Sequence, residues 1–317
     1  MIRPIALAGL LLLAGVAVSA AQSPTPAPVA PPLAPWNGKI AMADIAHLLS
    51  FGRRSLGTPG HEKTLRYIEQ EMAKLGIKTQ RQHWVQEDQR AGTLSLTNLV
   101  ARFDPGNPRR IIFGTHYDSI VRAYADKKNP NAIMPGANNS ASGVALLLET
   151  ARVLNARLPK PPVGVDFVFF DGEEGPVSLG AGDPHWQALG SPYFAQHLSD
   201  FYPGSKPLAA AIYDMVCYRD LRLPAEASSV AYARSEVEKF WSLGNGLAPK
   251  IFVPQVTPSP IFDDQNALAD ADIPSFLVIG FEYDPWFNTT QDTIDKCSAA
   301  SLEAVGRTTV RYVNLPR

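Results

Sequence analysis

Phe167-Val168-Phe169-Phe170-Asp171-Gly172-Glu173-Glu174-Gly175 is the stretch on which the fold turns. An apolar run of β-branched and aromatic residues reads as a buried strand. It stops at Asp171-Gly172, a turn signal, and then presents two adjacent carboxylates. Open α/β sheets receive their ligands just past the carboxyl ends of their strands, where Glu173 and Glu174 would stand. Neighbouring side chains cannot both point the same way, so the pair can take two roles. One carboxylate can hold a metal and the other can move protons.

Outward from this strand, apolar runs and helical periodicities alternate. The spacing predicts strands over 77–86, 94–103, 109–115, 165–170, 208–215, 251–256 and 274–279. It predicts helices over 44–49, 61–75, 144–158, 191–198, 229–243 and 299–312. In the second helix, Leu65, Ile68, Met72 and Leu75 fall on one face and Gly76 closes it. Asp104-Pro105-Gly106-Asn107-Pro108 reads as a hairpin-like turn. Strands alternating with helices, without internal repeats, predict a single α/β domain. Its central mixed sheet is mostly parallel, with helices on both faces.

A chain of 317 residues accommodates one large domain or two small ones. Its formal net charge of −1 gives no support for a nucleic acid or an anionic membrane as partner. The amino terminus has the pattern of an export signal: Arg3, an apolar run over 5–18, then Val18-Ser19-Ala20. The expected organisation is a signal peptide at 1–20, a Pro/Ala-rich linker at 21–35 and a folded domain at 36–317. That implies a periplasmic or secreted protein, off the membrane once the signal is removed. Cys217 and Cys297 are the only cysteines and could pair in an exported chain, although two buried thiols are the favoured reading.

His116, the Glu173-Glu174 pair and Asp214 fall at or just past strand ends, and Asp263-Asp264 sits in a later loop. A single histidine at a strand end is more often a hydrogen-bonded core residue. Several such groups on parallel strands are brought to one edge, where His, Asp and Glu together suit metal-assisted hydrolysis.

Three blocks in order carry a more specific likeness: His116-Tyr117-Asp118-Ser119, then Pro135-Gly136-Ala137-Asn138-Asn139-Ser140-Ala141-Ser142-Gly143, then Phe169-Phe170-Asp171-Gly172-Glu173-Glu174. Phe262-Asp263-Asp264-Gln265 and Asn288-Thr289-Thr290-Gln291-Asp292-Thr293 extend it. The chain resembles the zinc aminopeptidase and glutaminyl-peptide cyclotransferase superfamily, and the Asp-Asp block is more like the cyclotransferase branch. The resemblance implies a zinc-exopeptidase-like fold, zinc as cofactor and a peptide or protein N-terminus as partner. The implied chemistry is conversion of N-terminal Gln to pyroglutamate with ammonia release, or hydrolysis of the N-terminal residue. It makes Glu173 the acid/base carboxylate and Glu174 a zinc ligand. His116 and Asp214 match ligands of a second zinc. Asp214 and one of Asp263 and Asp264 match a proton-handling network. Trp186 falls near a substrate-pocket Trp, or is a core or rim residue.

The chain departs from that pattern at three places. Asn139 stands where the family has an Asp ligand, Asn288 where it has a His ligand, and Gln265 where the cyclotransferase branch has a His. An amide oxygen is neutral and a poor zinc ligand beside carboxylate or imidazole. Three readings follow: an enzyme with zinc held weakly or differently through His116, Glu174 and Asp214, a non-catalytic peptide-binding protein of the same fold, or an inert scaffold.

Overall fold

The computed structural model describes residues 35–180 and 183–317. The expected signal peptide at 1–20 and all but the last residue of the expected linker at 21–35 lie outside the described residues. The elements run α1 (Gly38–Leu49), α2 (Pro59–Lys74), β1 (Lys78–Asp88), β2 (Gly92–Phe103), β3 (Arg110–His116), α3 (Ala141–Asn155), β4 (Gly164–Phe170) and α4 (Gly190–Gln196). They continue through β5 (Ala209–Asp214), β6 (Leu223–Ala225), α5 (Ala227–Leu247), β7 (Phe252–Val256), α6 (Asp264–Asp270), β8 (Ser275–Ile279) and α7 (Ala299–Val313).

Six strands form one sheet in the order β1-β2-β4-β3-β5-β8. The neighbours β4, β3, β5 and β8 are parallel, and the β1-β2 hairpin joins antiparallel along β4. The four parallel strands are buried at every residue. A strand covered on both faces is apolar throughout rather than alternating, which is why these segments read as continuous runs. Successive side chains still point to opposite faces. Phe113, Phe167, Phe169, Tyr213 and Phe276 pack into one core, where the buried residues of α1, α3, α5 and α7 meet them. Ile112, Val168, Phe170, Ile212 and Leu277 pack into the other, with Phe194 of α4 and Leu268 of α6. The mixed, mostly parallel sheet with helices on both faces is as expected.

Four expectations need correction. Residues 104–108 do not close a hairpin: β2 runs beside β4, and β3 lies on the far side of β4. A one-strand skip cannot be read from turn chemistry. The short β6 pairs with β7 in a separate parallel two-stranded sheet; three residues are too few to show a period. Asp263 and Asp264 are not in a loop. Asp263 caps α6, with Asn266 closing a capping box, and Asp264 is its first residue. Cys217 and Cys297 are a disulfide, not free thiols, with Cα atoms 4.6 Å apart. Ser298 N donates to Cys217 O at 2.7 Å, so the chain after β5 and the start of α7 are adjacent despite the intervening 80 residues.

The packing of α3 on the sheet depends on one glycine. A Cβ at Gly143 would overlap Thr115 Oγ1 and lie 2.8 Å from the Tyr213 carbonyl oxygen. The second neighbour is backbone and cannot swing away. Gly143→Ala is expected to lower stability by about 1–3 kcal/mol, the range for overpacking a tight core. Urea unfolding of the pair measures this, and an unchanged midpoint would refute the close-approach argument.

Candidate active site

The carboxyl ends of β3, β4 and β5 deliver His116, the Asp171–Glu174 turn and Asp214 to one sheet edge. Gly172 takes φ of 71°, a left-handed conformation that costs glycine little, and this turns the chain so that Glu173 and Glu174 follow directly. The turn is pinned by a carboxylate the sequence reading quoted without giving it a role. Asp118 accepts from Glu173 N at 3.2 Å and Glu174 N at 3.1 Å, and lies 3.4 Å from His116 Nδ1. His116 Nε2 is 3.3 Å from Asp214 Oδ1, and its Nδ1 is 3.7 Å from Glu173 Oε2. His116, Glu173 and Asp214 are thus in one cluster.

Asn139 enters from the loop before α3. A second unassigned carboxylate holds that loop: Asp292 accepts from Asn138 N at 2.8 Å, Asn139 N at 3.1 Å and the Tyr283 hydroxyl at 2.8 Å. Asn139 Nδ2 donates to Glu174 Oε1 at 2.6 Å and to Asn288 Oδ1 at 3.3 Å. Asn288 Nδ2 donates in turn to the Tyr124 hydroxyl at 3.0 Å. Asp118 and Asp292 carry no role in the sequence reading because most of their partners are backbone N–H groups, which residue identity does not reveal. The available signal was an Asp two residues beyond a strand-end histidine.

Asp263 lines the same cavity as Glu173, Glu174, Asp214, Asn139 and Asn288, while Asp264 is fully buried at the start of α6. Gln265 turns away, donating to the Ile261 carbonyl at 2.8 Å. Trp186 lines the cavity.

Burial crowds negative charge here and changes its protonation. Burial raises Glu173 well above the usual carboxylate range, and Glu174, Asp263 and Asp264 add to the rise against the opposing pull of His116. Glu174 is pushed up to about 8, chiefly by burial and then by Asp118 and Asp214, against His116 and the Asn139 hydrogen bond. Asp264 is pushed up to about 7, again mainly by burial. For His116 burial works downward, but Glu173, Asp118 and Asp214 outweigh it and the imidazole is raised well above its ordinary value. A carboxyl that keeps its proton near neutrality beside an imidazolium is poised for general acid/base work.

An α/β sheet of this order with carboxylates at its parallel strand ends defines the zinc-exopeptidase-like class. Residues 98–313 match the model of peptidase family M28, and the chain belongs to that family. It is similar to the crystal structure of Tannerella forsythia glutaminyl cyclase, with a TM-score of 0.82 and 28% identity over 90% of this chain and 100% of that one. It also shares the fold of a Zn-dependent exopeptidase from Parabacteroides distasonis, with a TM-score of 0.83 and 24% identity over 90% of this chain and 100% of that one. A mouse glutaminyl-peptide cyclotransferase-like protein is 27% identical over 223 residues, 64% of this chain and 56% of the mouse protein. The chain spans 23% to 56% of the length of the first curated relatives it matches. Family and fold point to zinc by resemblance. Among the described residues, no group of three or more His, Cys, Asp or Glu is placed to hold a metal ion.

Proposed function

We propose that this chain is a glutaminyl-peptide-cyclotransferase-like and aminopeptidase-like protein that receives peptide N-termini at this edge of the sheet, with its metal site impaired. The observation that carries the reading is the amide ladder. Asn139 spends an N–H on Glu174 Oε1 at 2.6 Å, and its other neighbour, Asn288, is a second neutral amide. Zinc sites are built from thiolate, imidazole and carboxylate, so the donors as arranged do not fit that ion. Glu174 is the one charged member left of the three positions that the family resemblance assigns to a single zinc.

The proton-handling half of the site is intact. Glu173 is the residue we assign to take a proton from a bound α-ammonium and return it to a leaving group. His116 and Asp214 adjoin it, and Asp264 is part of the same buried acidic network. The same amide ladder favours a second reading, a non-catalytic peptide-binding pseudoenzyme. Among the described residues no helix is long and apolar enough to cross a membrane. We place the mature protein in the periplasm or outside the cell, on the pattern of Arg3, the apolar run and Val18-Ser19-Ala20.

The test is ammonia release from a Gln-initiated peptide at saturating zinc. The expected result is little or no turnover by the unaltered protein. Robust turnover, abolished both by Glu173→Gln and by a chelator, would overturn the impaired-site reading.

A further inference from the structure

The cavity over the sheet edge has a volume of about 1490 Å³ and opens to solvent. Seven acidic side chains line it and, among the described residues, no Lys, Arg or His does. With acidic groups and no cationic side chain on its lining, the cavity favours a cationic ligand, whose charge also favours ionisation of the carboxyls that burial raises. At its inner end lies a buried acceptor with nothing to accept from. Asn139 is 4% exposed, its Nδ2 is engaged by Glu174 and Asn288, and its Oδ1 has no hydrogen-bond partner. The amide turns its NH2 side to Glu174 Oε1 at 2.6 Å and to Asn288 Oδ1 at 3.3 Å, which leaves the oxygen outstanding.

We infer that the inner end of the cavity binds a primary ammonium group directly, without a metal, through Asn139 Oδ1 and the Glu174 carboxylate. The inference rests on the reading that peptide N-termini enter this cavity, and it names the group that is recognised and the atoms that recognise it. The donor chemistry discriminates between cations. An ammonium carries three N–H donors and no acceptor, and it can donate to a neutral amide oxygen beside a carboxylate. Zinc takes a neutral amide oxygen poorly. The amides at Asn139 and Asn288 therefore convert a place suited to a metal into one suited to N–H donors. Further out, Trp186 lines the cavity with Phe262 and Phe281, which are 70% and 46% exposed. Exposed aromatic rings beside an acidic floor fit a ligand with an apolar group following its ammonium.

The probe is the dipeptide amide Phe-Ala-NH2, compared with its N-acetyl form by isothermal titration calorimetry on the unaltered protein in excess EDTA. The free amine is expected to bind at least 10-fold more tightly than the acetylated peptide. Glu174→Gln is expected to weaken the free amine by roughly 10–100-fold, as for loss of a hydrogen bond to a charged group, and to leave the acetylated peptide unchanged. Equal binding of the two peptides would overturn the inference while leaving the peptide-binding reading in place. So would binding of the free amine that EDTA abolishes and zinc restores. Failure of both peptides to bind, with zinc or without, would overturn the inference and that reading together. The comparison of the two peptides needs no variant, so a poorly folding Glu174→Gln protein does not blunt it.

Discussion

The double substitution Asn139→Asp with Asn288→His is expected to raise zinc affinity by more than roughly 100-fold. Losing a residue that merely orients a ligand costs about 10–100-fold, and here two ligands themselves would be supplied. The positions are already adjacent: Asn139 touches both Glu174 and Asn288. Asn139→Asp is isosteric, but it sets a second carboxylate against Glu174 where a hydrogen bond of 2.6 Å now stands. Two carboxylates so close cannot both ionise without a cation between them, so the variant gains a demand for positive charge that the parent meets with an N–H. Asn288→His supplies an imidazole. Asn288 sits at φ of 52°, a region in which His, like Asn, is enriched among non-glycine residues, so the backbone does not forbid the change. Chelator competition measures the affinity. Thermal unfolding gives a second readout, since a ligand that binds only the folded state raises Tm with concentration. Affinity equal to that of the unaltered protein would overturn the proposal that these two amides impair the site for zinc. If the double variant binds zinc but releases no ammonia from Gln-peptides, Gln265→His is the next change, or the pocket belongs with the aminopeptidases.

Much of this site was legible because the sheet is parallel. His116, the Glu173-Glu174 pair and Asp214 end different strands, and parallel strands must bring such residues to one edge. The resemblance also marks Asn139 and Asn288 as losses of charge at its motif positions. What the amides do instead was not legible, because it depends on which way Asn139 turns its NH2. Asp118 and Asp292 work through backbone N–H groups, and the Cys217–Cys297 disulfide depends on where the chain after β5 meets α7. Neither kind of contact has a sequence period. α6 was a different case: the Asp263–Asn266 capping box was present in the sequence, and the seven-residue helix after it was too short for its periodicity to stand out.

At the opposite end of the parallel strands, Asp166→Ala is expected to cost about 3–5 kcal/mol, the range for breaking a buried ion pair by removing one partner. Asp166 is fully buried in β4. It accepts from Arg110 at 2.6 and 2.7 Å, from Arg102 at 3.0 Å and from the Tyr202 hydroxyl at 2.7 Å. Arg110 is 5% exposed and also donates to the carbonyls of Phe103, Asp104, Asn107 and Val165. It therefore ties down the β2–β3 connection that resembles a hairpin turn in sequence. Taking away the carboxylate leaves a guanidinium in the interior without its counter-charge, which is the main cost. At about 2–4 °C per kcal/mol for a chain of this size, Tm should fall by roughly 6–20 °C. The interpretation is separable from simple loss of packing. Asp166→Leu combined with Arg110→Met removes the two buried charges and leaves only Arg102, whose side chain is 27% exposed and can be solvated; replacing a buried pair by apolar groups is often neutral or better. The double variant should then regain most of the loss, less what the freed carbonyls and Tyr202 forfeit. A double variant as unstable as Asp166→Ala would mean that the network matters for its hydrogen bonds to the backbone rather than for its charge balance. Because the network lies at the end of the sheet away from His116 and Glu174, peptide binding measured well below Tm should be unchanged in Asp166→Ala.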